Sequence, residues 1–232
     1  MLTLEPIAHI RSDFPAKFGI PRQSGLVEEL EALVVFEPPW QDDNALRGIE
    51  GFSHLWLIWE FSQNPRGSWS PTVRPPRLGG NQRVGVFASR SPFRPNPLGL
   101  SCVRLLGLER LPGQGTALRV GGADLMDGTP IYDIKPYQPL SDSHPDAVGG
   151  FATAAADHRL SVRFPPELAA RVPEKKRAAL AALLAQDPRP AYQQDPERVY
   201  GFGFAGLEIR FRVRGTELTV EDVLRLPARE QP

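Results

Sequence analysis

The chain has 232 residues, with 27 Lys and Arg offset by 27 Asp and Glu, so its bulk charge announces no polyanionic partner. A chain of this length buries a sizeable core without staples, and its one cysteine, Cys102, excludes an internal disulfide or a cysteine-rich metal site, as in a reducing cytoplasm. The four histidines lack zinc-ligand spacing, and the longest apolar stretch, 55–61, is broken by Glu60 and falls far short of a membrane span.

No metal and no membrane are therefore expected. The opening MLTLEPIAHI followed by Arg11 does not read as a secretory signal, so the expected location is cytoplasmic. In chain order, segments 32–36, 54–61, 83–88, 100–106, 117–120 and 131–134 read as strands. Each is rich in Val, Ile, Leu or aromatics and bounded by Gly, Pro, Asn or Asp. Many short strands with turns between them point to a barrel or sandwich rather than a βαβ series. Residues 141–150 are small and polar and read as a linker or mobile loop. The segment 173–186, PEKKRAALAALLAQ, is the one strong helix, stopped by Asp187-Pro188. Leu207, Ile209, Phe211 and Val213 alternate with Glu208, Arg210 and Arg212 in a strand, and Gly215-Thr216 turns the chain into a partner over 217–220. The pattern is mainly β, α+β overall: a β-rich domain over 1–145 and a small α+β domain over 146–232.

Three clusters carry chemistry. Residues 83–101, RVGVFASRSPFRPNPLGLS, hold Arg90, Arg94 and Asn96 on a loop whose Pro92, Pro95 and Pro97 restrict the backbone, as a binding loop requires. Cys102, just beyond, reads as a small buried filler. Residues 123–137, ADLMDGTPIYDIKPY, place Asp124, Asp127, Asp133 and Lys135 near strand ends, with a simple hairpin turn as the plainer reading. Residues 186–192, QDPRPAY, hold Arg189 between two prolines with Asp187 and Tyr192 beside it. Seven arginines between 66 and 104, among them Arg74, Arg77 and Arg83, meet no Asp or Glu, a local basic field suited to phosphate. Gly201–Gly206 matches GxGxxG by letter only, because an alternating strand follows where a dinucleotide fold needs a helix.

Along 18–25 (FGIPRQSG), 47–56 (RGIEGFSHLW), 71–81 (PTVRPPRLGGN), 85–101, 124–137 and 187–192, in that order, the sequence resembles the TrmO family. These are tRNA methyltransferases acting on N6-threonylcarbamoyladenosine beside the anticodon. The resemblance implies a single-sheet antiparallel β-barrel that binds S-adenosylmethionine, working as a homodimer with sites near the interface. It implies cofactor contacts at Pro21, Arg22, Gln23, Ser62, Gln63, Arg90, Leu100, Leu125, Met126, Asp127 and Gly128. For methylation of N6, Asp187 or Tyr192 is the expected base or orienting group, and Asp127 positions the cofactor. Arg94 and Arg189 suit the threonyl carboxylate, since guanidinium grips carboxylate bidentately. Asn96, Lys135 and the basic run with Arg74, Arg77 and Arg83 are expected to face the tRNA, with Trp40, Trp69 and Phe93 as stacking candidates. The rival readings are a non-catalytic RNA- or ligand-binding β-barrel regulator and a metal-free hydrolase of a modified nucleotide.

Overall fold

Strand β3 (His54–Glu60) buries every second residue, Leu55, Leu57 and Trp59, as a strand with one face on a core must. The same alternation holds in β1 (Ala8–Arg11) and the first half of β6 (Leu98–Leu111), whereas β2 (Glu31–Phe36) and β7 (Gly115–Gly121) also bury neighbouring residues and β8 (Pro130–Pro136) buries Ile131. A computed structural model describes residues 3–64, 69–75, 82–151, 159–189, 193 and 195–227 of the chain. In it these six strands form one antiparallel sheet, ordered β1-β2-β7-β6-β3-β8 and curled into a barrel. Its two ends meet through a short seam, Ala8 opposite Ile131 and His9 opposite Pro130. The strand β6 makes the curl possible. Its first half pairs with β3 and its second with β7, and the register shifts between Leu105 and Gly107, where a bulge coils the strand from one neighbour to the next. Ile10, Val34, Leu55, Leu57, Val103, Leu118 and Ile131 fill the barrel core.

The second core lies under a four-stranded sheet. It is built from β9 (Ser161–Arg163), β10 (Tyr200–Phe204), β11 (Leu207–Arg214) and β12 (Glu217–Arg225), in the order β10-β11-β12-β9. Helices α2 (Pro166–Ala169) and α3 (Glu174–Ala185) add Leu168, Ala179, Leu180, Leu183 and Leu184 to Phe202, Phe204, Ile209, Phe211 and Val220. Phe14, Val27 and Leu30, from the long connection between β1 and β2, belong to this second core as well. Leu180 is fully buried, so Leu180→Ala should lower the unfolding free energy by about 2–5 kcal/mol, measured by urea titration.

The strand expected over 83–88 is corrected. Only β5 (Val84–Gly85) pairs, with β4 (Thr72–Val73), and Val86–Ala88 is a 3-10 turn. The two-residue partner ends there, so the ladder has nothing to continue on. The linker expected over 141–150 begins inside a helical turn, α1 (Pro139–Asp142), whose Asp142 carboxylate accepts from the Trp56 indole at 2.8 Å. Cys102 is half-buried on the outer face of β6 rather than buried, and its thiol is pushed up by desolvation first and by Asp142 second. Gly201–Gly206 is β10 and its turn: Ala205 and Gly206 take φ of 50° and 77°, the left-handed pair a tight hairpin demands.

Candidate functional site

Where β3 ends and β6 begins, the barrel wall opens into a cavity of about 460 Å³, within the range of small-molecule sites. Four separate stretches wall it. The β1–β2 connection supplies Lys17, Ile20, Pro21, Arg22 and Gln23. The end of β3 supplies Trp59, Glu60 and Phe61, followed by Ser62, Gln63 and Asn64. The proline-rich loop and the start of β6 give Ser89, Arg90, Pro92, Arg94 and Leu98 to Leu100, and the β7–β8 turn gives Asp124, Leu125, Met126 and Thr129.

Cross-links hold the stretches in register. The Lys17 ammonium donates to the Gln63 carbonyl at 3.1 Å and to Asn64 Oδ1 at 2.8 Å. Arg90 Nη1 donates to Gln23 Oε1, and the Phe61 amide donates to the Pro97 carbonyl at 2.9 Å. The Tyr132 hydroxyl donates to Glu60 at 2.5 Å. Below them the Trp59 indole donates to Ser101 Oγ at 2.9 Å, and Ser101 donates to Asp124 Oδ1 at 2.6 Å. Desolvation holds the Asp124 carboxyl above the usual carboxylate range, against the opposing pull of Ser101, its own and the Ser24 amides, and Arg90.

Of the eleven residues expected at a cofactor, the cavity gathers Pro21, Arg22, Gln23, Ser62, Gln63, Arg90, Leu100, Leu125 and Met126. Asp127 and Gly128 sit behind the wall. Asp127 Oδ1 accepts from the Ser12 amide at 3.0 Å, and the Gly128 amide donates to the Ile10 carbonyl at 2.8 Å. Arg94 lines the cavity with its Nη1 turned to backbone carbonyls of its own loop, 2.7 Å from that of Ser89. Asn96 is exposed on that loop. Asp187 and Arg189 form a bidentate pair, with both N–O distances 2.8 Å, and their carbonyls accept from Arg22 at 3.5 and 3.4 Å. That pair raises the Arg189 guanidinium further above its ordinary value. Lys135 is not brought to the cavity: it stands opposite Trp56, at the other end of β3, paired with Asp133 at 2.8 Å. Arg74 and Arg83 are exposed, Arg83 donating to Thr72 Oγ1 at 3.1 Å, while Arg77 and Tyr192 lie outside the described residues. Sequence reading missed Lys17, Trp59, Glu60 and Phe61 and left Asp124 without a role. Trp59 and Asp124 meet only through Ser101 of a third element, which no local motif signals.

The model of the tRNA-methyltransferase O N-terminal domain matches residues 9–143, and that of the TrmO C-terminal domain matches residues 157–226. The chain belongs to the TrmO family. It is 43% identical over 217 residues to a tRNA (adenine(37)-N6)-methyltransferase of Escherichia coli strain K12, covering 90% of this chain and 92% of that one. It is 49% identical over 175 residues to the protein of the same name in Eikenella corrodens, covering 75% of this chain and 97% of that one. A crystal structure of TrmO from Pseudomonas aeruginosa matches with a TM-score of 0.77 at 34% identity, over 96% of this chain and 98% of the other. Within this TrmO-family frame, no helix among the described residues is long and apolar enough to cross a membrane, and no group of three or more metal-ligating side chains stands together.

Proposed function

We propose that this chain is a tRNA methyltransferase that moves a methyl group from S-adenosylmethionine to N6 of adenosine 37, beside the anticodon, when that adenosine carries a threonylcarbamoyl group. The observation that carries the reading is the cavity, whose wall unites nine of the expected cofactor residues from four stretches of chain. The donor set fits the cofactor. A molecule bearing a sulfonium, an ammonium, a carboxylate and an adenosine needs a carboxylate, a guanidinium and an apolar wall together, and Asp124, Arg22, Arg90, Trp59 and Leu125 provide them. Bound S-adenosylmethionine supplies a methyl group made electrophilic by its sulfonium.

The protein's share is alignment, worth roughly 7–11 kcal/mol in favourable cases, and removal of the N6 proton, worth ~10²–10⁴-fold. Pro21 to Gln23, Ser62 and Gln63 hold the donor, while Trp59, Phe61 and Leu125 exclude water from it. Asp127 and Gly128 act from behind, by fixing the turn that presents Leu125 and Met126. Asp187 and Tyr192 are the base candidates. Both oxygens of Asp187 are engaged by Arg189, which favours an orienting role for it. In this reading Arg94 is the candidate for the threonyl carboxylate, Arg189, with its Nε and Nη2 given to Asp187, braces the loop beside Arg22, and Arg74, Arg77, Arg83, Asn96 and Lys135 are the candidates for tRNA contact. Exposed Trp40, Trp69 and Phe93 offer stacking surfaces. Phe87 and Leu100, exposed beside the cavity, support a homodimer that covers them, and a tRNA substrate supports a cytoplasmic location.

The test is transfer of labelled methyl from S-adenosylmethionine to two tRNA pools, one with the threonylcarbamoyl group and one without. Label in the modified pool alone is expected. Label in both would overturn the substrate, and no label despite cofactor binding would turn the reading to a binding protein. Replacing Arg74 or Arg83 by Ala should reduce the salt slope of tRNA binding by about 0.7–0.9 each.

A further inference from the structure

Asp124 lies just past β7, where the chain turns toward β8, and its carboxylate forms part of the cavity wall. It is fixed from beneath. Ser101 donates to Oδ1 at 2.6 Å, and the Trp59 indole donates to Ser101 at 2.9 Å, with Trp59 8% and Ser101 1% exposed. The backbone of Ser24 bonds to it from the β1–β2 connection, and the charge of Arg90 acts on it from the proline-rich loop. The other charged groups of the wall are Lys17, Arg22, Arg94 and Glu60. Lys17, Arg22 and Arg94 donate to backbone carbonyls, and Glu60 accepts from Tyr132. Four cations, Arg90 included, thus meet two carboxylates in the wall, and Asp124 is the carboxylate fixed from beneath by buried donors, so a ligand cation entering the cavity meets it as a held counter-charge.

We propose that Asp124 is the residue by which the cavity distinguishes the methylated cofactor from its demethylated product. This rests on the reading of the cavity as the S-adenosylmethionine site. The two molecules share adenosine, ammonium and carboxylate and differ in one methyl and one charge: sulfonium before transfer, neutral thioether after it. An ionised carboxylate in a partly dry wall attracts the first and has no fixed charge to hold in the second. Loss of that attraction on transfer favours release of the product. Desolvation leaves the empty site with a carboxylate that is harder to ionise than usual, so a cation in the cavity favours its ionised form. Affinity for S-adenosylmethionine should then rise with pH above the ordinary carboxylate value and its binding should release protons, whereas the product should do neither.

The experiment is calorimetric titration of the full chain with S-adenosylmethionine and with S-adenosylhomocysteine, in two buffers of different ionisation enthalpy. Three proteins are compared: the unaltered chain, Asp124→Asn and Ser101→Ala. Asn keeps the shape and accepts the Ser101 bond without the charge; Ser101→Ala keeps the charge and removes the support. Asp124→Asn should weaken S-adenosylmethionine by about ten- to a hundredfold and S-adenosylhomocysteine by less than about threefold, collapsing the preference. Ser101→Ala should weaken S-adenosylmethionine more than S-adenosylhomocysteine, but by less than Asp124→Asn does, because the carboxylate loses the donor that favours its ionised form. The thermal midpoint of ligand-free Asp124→Asn should be no lower than that of the unaltered chain. A group whose pKa is raised on folding contributes stability at low pH and loses it as pH rises through the folded value, so at neutral pH the charge stabilises nothing that Asn removes. Equal weakening of both ligands by Asp124→Asn, or no weakening, overturns the proposal while leaving the cofactor site intact. Failure of the unaltered chain to bind either ligand overturns the reading of the cavity itself.

Discussion

Gly99→Ala is expected to weaken binding of S-adenosylmethionine by at least about tenfold while the barrel still folds. Gly99 stands opposite Trp59 across β3 and β6, and the indole lies over it: a Cβ at Gly99 would overlap Cε2 and Cζ2 of the ring and sit 2.6 Å from Cδ2. The ring has little room to retreat, because it is buried and packs edge-on against Phe61 with centroids 4.4 Å apart. Overpacking of this kind costs about 1–3 kcal/mol, within what a domain of this size tolerates. The larger effect is on the cavity. A displaced indole leaves Ser101, and with it the support under Asp124. Calorimetric binding beside a thermal melt checks this, and Trp59→Phe added to Gly99→Ala should recover the melting temperature by making room but not the affinity, since phenylalanine has no N–H to give Ser101. Unchanged affinity in Gly99→Ala would mean that the position of Trp59 does not shape the site.

Arg189→Met should be the most damaging change for stability among the site residues. The Asp187 and Arg189 side chains are 12% and 11% exposed and bonded two-to-two, and Asp187 itself adopts φ of 52°, a left-handed conformation uncommon outside glycine. Removing the guanidinium strips a buried carboxylate of its bidentate partner, at a cost of about 3–5 kcal/mol. The same change loosens the carbonyls that accept from Arg22, so cofactor affinity should fall with stability. Urea denaturation and binding measured on one preparation would separate the two effects. A stable Arg189→Met with normal affinity would show that the clasp between residues 187–189 and Arg22 is dispensable.

The barrel was legible where alternation and partners agree. In β11 the apolar period is clean and one face is buried as read, whereas β3 reads as an unbroken apolar run, LWLIW, that alternates only in its burial. Strands β1 and β10 escaped notice although both alternate, burying Ala8 and Ile10 and burying Tyr200, Phe202 and Phe204: AHIR is only four residues long, and the glycines of YGFGF read as turn residues, so it is the backbone partners in β2, β8 and β11 that define them. The opposite error, at 83–88, came from apolar residues with no ladder to join. Nine of the residues expected at a cofactor line the cavity, and they were readable because the resemblance assigns them by position. The Trp59–Ser101–Asp124 relay was not, since it depends on cross-strand register, with Gly99 facing Trp59 and Ser101 facing Leu57. Register is decided by the closed set of strands and not by any one of them.

The sharing of the second core by Phe14, Val27 and Leu30 bears on how the molecule comes into being. These residues flank Pro21 to Gln23 on both sides, and their packing partners, from Leu160 to Val223, are synthesised last. On the ribosome the barrel strands emerge first, and the stretch that forms one wall of the cavity can bond to them through Lys17, Gln23 and Gly25, but its apolar side chains Phe14, Val27 and Leu30 have no core until the final sheet is released. The ability to bind cofactor is therefore acquired at the end of folding, and a polypeptide cut short before β10 would carry a barrel without a finished site.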